Sequence, residues 1–158
     1  MQEQNSKREA GTLTAAMVSV FWASVVVFAL LGVVIGPFEA LPEGGMWFRY
    51  TFFPGIALLF VLGIALIVLT VRARMRGALK VYFLLTGASA AGFPAAAVLH
   101  NVVYGLFILW FGEDFWGVNG GDEAFFFIIA ILVCPLGFVV GAIGSIVLFI
   151  LHRLRAGT

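Results

Sequence analysis

Long apolar runs alternate with short polar clusters along the 158-residue chain, and the runs set the architecture. Four stretches, 12–36, 50–71, 81–111 and 124–151, contain no Asp, Glu, Lys or Arg. A span needs about 20 apolar residues to cross roughly 30 Å of hydrocarbon, and each stretch reaches that length. In lipid a single segment can satisfy its own backbone only as a helix. The pattern therefore predicts an all-α integral membrane protein. Its expected form is a four-transmembrane-helix bundle with short loops and antiparallel neighbours. The transmembrane domain covers 12–151, between tails at 1–11 and 152–158.

The first run follows Lys7 and Arg8, as the core of a signal peptide would. Its apolar stretch from Leu13 to Ile35 exceeds the roughly 7–15 residues of such a core, so it is expected to be a retained first helix.

Composition and charge placement sharpen this picture. Hydrophobic residues make up 63% of the chain and charged residues 11%, whereas a soluble domain carries about a quarter charged residues. The net charge of +1 gives no reason to expect nucleic acid as a partner. Lys7 and Arg8 precede the first run, Arg72, Arg74, Arg76 and Lys80 separate the second from the third, and Arg153 and Arg155 follow the fourth. The other two loops hold one basic residue, Arg49, against the acids Glu39, Glu43, Glu113, Asp114, Asp122 and Glu123. Basic residues in short loops mark the cytoplasmic side. Both termini and the 72–80 loop are expected there, in the plasma (inner) membrane. Trp47, Trp110 and Trp116 flank the opposite loops, where indole rings settle at headgroup level, while Trp22 lies inside the first run.

Gly120-Gly121-Asp122-Glu123 spells most of the signature of diguanylate cyclases. Such an enzyme needs a soluble α/β domain, for which a short loop leading into a membrane helix has no room. The local chemistry explains the letters better: two glycines turn the chain, and two acids meet the positive end of the next helix. Hydrolase, kinase and zinc-protease motifs are absent. Gly36 before Gly44-Gly45 and Gly112 before Gly120-Gly121 are equally spaced, as two related helical hairpins would be.

Three features are candidates for chemistry or assembly. The third run would measure about 46 Å as one helix, more than the hydrocarbon core, so it must tilt, protrude or break, with a kink expected at Pro94. At about 100° per residue, Tyr82, Thr86, Ser89, His100 and Tyr104 project within about 40° of one line, with Asn101 to one side. Polar groups in hydrocarbon need partners, so this stripe is expected to face other helices or water. It is the candidate intramembrane site.

The fourth run carries Gly137, Gly141 and Gly144 on nearly one face, a small-residue stripe suited to close helix packing, with a kink expected at Pro135. Gly32 and Gly36 echo it in the first run. Glu113, Asp114, Asp122 and Glu123 are weak candidates for a divalent cation, their spacing being unlike an EF-hand loop. Glu113 and Asp114 would lie at the negative pole of the third helix, an unfavourable place that Arg49, a cation or plain solvation would offset.

His100 invites comparison with haem or quinone anchors. His152, the other histidine, lies at the opposite end of its span, so the two cannot share an iron within one chain. No cofactor is expected. The leading expectation is a non-enzymatic accessory or structural membrane component, with lipid and other membrane subunits or a second copy as partners. A small transporter or channel-like protein using the third-helix stripe is the alternative, and a haem- or quinone-binding anchor the third reading.

Overall fold

A computed structural model describes residues 2–38, 44–112, 114–118 and 124–156. Helix α1 covers Gln2–Phe38, α2 Gly44–Arg72 and α3 Ala78–Phe111, followed by a short α4 at Asp114–Val118. The last span begins as α5 (Ala124–Ile128), widens into a π-helical segment (Ile129–Val133) and continues as α6 (Cys134–Ala156). Four helical segments, Arg8–Gly32, Tyr50–Arg72, Ala78–Phe111 and Ala124–His152, are long and apolar enough to cross a membrane. The protein is an all-α four-helix bundle, as the apolar runs predict. The helices extend beyond the apolar stretches, most at their starts: α1 begins at Gln2 rather than at residue 12, and α2 at Gly44 rather than at 50.

The surface is the reverse of a soluble protein's, and a few hydroxyls are buried among the apolar core. Val26, Leu30, Val61, Val68, Leu109 and Ile143 are exposed, while Ser24, Thr70, Thr86, Ser89 and Ser145 are buried. Surrounded by water such a surface would be ruinous, but against acyl chains it costs nothing, because lipid is as apolar as leucine. Three of the hydroxyls inside are satisfied at short range. Ser24 Oγ donates to the Val20 carbonyl at 2.8 Å, Thr70 Oγ1 to Leu66 at 2.6 Å and Thr86 Oγ1 to Tyr82 at 2.9 Å. Each reaches one turn back along its own helix.

The neighbours α1–α2, α2–α3 and α3–α6 pack against one another. Large side chains fill the centre, with Met17 and Phe21 from α1, Leu59 and Leu66 from α2, Phe83 from α3 and Phe138 from α6. Phe21 meets Phe83 edge-on, with ring centroids 5.1 Å apart, and Phe28 stacks on Phe138 at 4.2 Å. These aromatic contacts attach α1 to both α3 and α6.

The two expected kinks take different forms. Helix α3 runs through Pro94 without interruption for 34 residues, roughly 51 Å. At Pro135 the fourth span instead adopts π-helical turns, with the Cys134 amide donating to the Ile129 carbonyl. Proline lacks an amide and its ring collides with the carbonyl four residues back, and a wider turn accommodates both defects. Cys134 is thereby brought beside α3, where a Cβ at Gly92 would stand 3.1 Å from its sulfur.

Helix α3 is bounded by two glycines, Gly77 (φ 79°, ψ −167°) and Gly112 (φ 92°, ψ 166°). Both lie in a backbone region that only glycine enters readily. Gly112 ends α3, and Asp114, three residues past Phe111, is the first residue of α4.

Candidate functional site

The polar stripe of α3 divides into two environments. In its first half, Tyr82, Thr86 and Ser89 lie against the glycines of α6. A Cβ built at Gly137 would stand 2.5 Å from Ser89 Oγ, and one at Gly141 would stand 2.5 Å from Thr86 Oγ1 and 2.7 Å from the Thr86 amide nitrogen. One at Gly144 would overlap the Tyr82 ring. Only hydrogen at these positions lets α3 and α6 come this close. Thr86 is 0% and Ser89 8% exposed and Tyr82 is half-buried, so this half is a helix–helix seam.

The second half lies elsewhere. His100 is half-buried, its ring 5.5 Å from that of Phe127 on α5. Tyr104 is 36% exposed and stacks on Trp116 of α4 at 5.7 Å. The Trp116 indole N–H donates to the Tyr104 carbonyl at 3.3 Å, and Phe107, Phe111 and Phe115 complete an aromatic cluster that folds α4 back over the end of α3. Such rings suit the membrane–water boundary, where an apolar body and a polar edge are both accommodated. Asn101 is exposed and donates to its own helix at the Ala97 carbonyl, 2.8 Å away. The stripe therefore does not converge on one point: Tyr82, Thr86 and Ser89 meet α6, His100 meets α5, and Tyr104 meets α4.

A second close crossing joins α2 to α3, legible in the sequence on the α3 side, where Gly87, Ala91 and Gly92 suit close helix approach, but not on the α2 side. A Cβ at Gly63 would stand 2.7 Å from the Ala91 amide nitrogen and 2.8 Å from the Gly87 carbonyl oxygen, and one at Gly87 would stand 3.0 Å from the Gly63 carbonyl. Gly87 has small neighbours in its own helix, but Gly63 stands alone in an apolar run and gives no periodic signal. Gly32 departs from expectation in the other direction. It is exposed, and a Cβ added there would meet nothing within 4 Å, so it is not a packing glycine. The surroundings of Gly36 lie outside the described residues.

Among the cation candidates, Asp114 is exposed, and Glu113, Asp122 and Glu123 lie outside the described residues, as does the Gly120-Gly121 turn. Among the described residues no three His, Cys, Asp or Glu side chains cluster as metal ligands. His152 is exposed near the far end of α6, well away from His100 beside α5.

The fold, with four helices long and apolar enough to cross a membrane, defines an integral membrane protein of the four-helix-bundle class. No family model, curated protein or solved structure matches the chain.

Proposed function

We propose that this protein is a non-enzymatic accessory or structural component of a membrane assembly, acting through its apolar helix surfaces on other membrane subunits or on a second copy. The observation that carries this reading is the seam between α3 and α6. There the first half of the polar stripe meets glycines so closely that a single methyl group would collide with Thr86. This packing, with Thr86 bonded to its own helix, supports a structural use for that half of the stripe.

The test is reconstitution. Proteoliposomes containing the protein should show the proton and potassium leak of protein-free liposomes, and in cells a His100→Leu variant should replace the parent at equal abundance. Saturable ion flux that disappears in His100→Leu, with the variant still folded, would establish the transport reading in place of this one.

The proposed orientation has both termini and the turn between α2 and α3 in the cytoplasm, at the plasma (inner) membrane, supported by the placement of Lys and Arg. In a Cys134→Ala background, an impermeant thiol reagent added to intact cells should label cysteine at position 114 and spare one at position 78. Preferential labelling at 78 would reverse the orientation.

A further inference from the structure

At the end of the bundle where α1 begins its span and α2 completes its own, a cleft of about 620 Å³ opens between them. Glu9, Leu13 and Thr14 of α1 line one side, and Arg72, Ala73 and Arg74, at and just past the end of α2, line the other. The first apolar span starts at Arg8 and the second ends at Arg72, so the cleft lies at the depth of the lipid headgroups. Among the described residues Arg72 and Arg74 are paired with no carboxylate, Glu9 included, although all three exposed side chains border the same cleft.

Arg74 also has an unusual backbone. Its φ is 49°, in the left-handed region, and no other described non-glycine residue has a positive φ. The turn is held by the Ala73 amide, which donates to the Leu69 carbonyl at 2.8 Å, and by the Arg74 amide, which donates to Val71 at 3.1 Å. In a continuing helix, residues two apart would project about 200° from one another, on opposite faces. The break in the helix lets Arg72 and Arg74 border one cleft instead. Glycine is the usual residue in such a turn, and strain at any other residue is a pointer to function. Arginine near a helix C-terminus also offsets the dipole, but that benefit asks for no left-handed residue.

We propose that this cleft is a headgroup site for one phospholipid, with Arg72 and Arg74 holding the phosphate and Glu9 accepting a hydrogen bond from the group beyond it. Guanidinium forks match phosphate oxygens in both charge and geometry. Leu13 and Ala73, both half-buried, give an apolar floor to the glycerol end of a lipid, which a free phosphate ion would leave uncovered. Glu9 disfavours a bare phosphate by charge. It selects a headgroup that carries an N–H or O–H donor, as ethanolamine and glycerol do and choline does not.

Native mass spectrometry of the full chain, delipidated in detergent, reads the binding of phosphatidylethanolamine, phosphatidylglycerol, phosphatidylcholine and inorganic phosphate separately. One ethanolamine or glycerol lipid should be retained per chain, about 10-fold more tightly than the choline lipid, and inorganic phosphate should not displace it. Arg72→Gln and Arg74→Gly should each weaken that binding by about 10-fold or more, as the loss of hydrogen bonds to a charged group does. Glycine fits the left-handed turn, so Arg74→Gly should melt at or above the temperature of the parent, which separates lost binding from lost folding. Arg76→Gln, which removes a charge from the same turn but outside the cleft, should cost no more than about 5-fold, the effect of general attraction to headgroups. Glu9→Ala should erase the preference over choline. Equal losses in all three arginine variants would show diffuse attraction alone and overturn the site. Displacement of the lipid by inorganic phosphate would make the cleft a site for a soluble oxyanion, and choline lipid bound as tightly as the others would overturn the part given to Glu9.

Discussion

Gly141→Leu should abolish the folded protein, or destabilise it by roughly 3 kcal/mol or more, as measured by circular dichroism during unfolding in detergent. A Cβ at this position falls 2.7 Å from the Thr86 amide nitrogen and 3.0 Å from the Tyr82 carbonyl oxygen. These are backbone atoms of α3, so no rotamer change relieves the collision. The helices must move apart, and separation removes the dispersion contacts that hold them together in lipid, where no hydrophobic effect compensates. Gly105→Leu is the control. Gly105 lies inside α3, and nothing stands within 4 Å of its Cβ position. That variant should match or exceed the parent, since glycine in a helix interior is worse than other residues by roughly 0.5–1 kcal/mol. Equal stability of Gly141→Leu and the parent would mean that α3 and α6 do not approach in this way.

The contrast between these two glycines shows how far the sequence can be read. Uncharged runs specify four spans because bilayer thickness and backbone satisfaction leave few alternatives. Spacing also places Gly137, Gly141 and Gly144 on one face of α6. Spacing cannot show what lies opposite a face, and this is why Gly32 resembles Gly141 in the sequence but projects into open space in the bundle. The α3 stripe has the same limitation. Its residues share a line along one helix, but α6 covers the Tyr82 half while α5 and α4 lie beside His100 and Tyr104. Helix α4 is indistinguishable from a loop in the sequence, because five residues contain too little periodicity to reveal a separate element. The unsatisfied hydroxyl of Ser145 is unreadable for a different reason. A serine in a membrane helix is ordinarily satisfied by the carbonyl one turn back, and only the folded structure shows that this one is not.

Gly63→Leu should be as damaging as Gly141→Leu, and harder to rescue. At the α2–α3 crossing the opposing atoms are the Ala91 nitrogen and the Gly87 oxygen, 2.7 and 2.8 Å from a Cβ at Gly63. Reducing Ala90, whose Cβ stands 3.0 Å away, to glycine removes only the least severe of the three contacts, so a Gly63→Leu, Ala90→Gly double variant should remain unfolded. The α6 position at Gly144 should behave oppositely. There the obstruction is the Tyr82 ring, a side chain, so Tyr82→Ala should recover much of the stability lost in Gly144→Leu. A double-mutant cycle reads the difference as coupling: roughly 1 kcal/mol or more between positions 144 and 82, and about zero between 63 and 90. Substantial rescue at Gly63 by trimming Ala90 would show that side chains, rather than two backbones in contact, set the distance between α2 and α3.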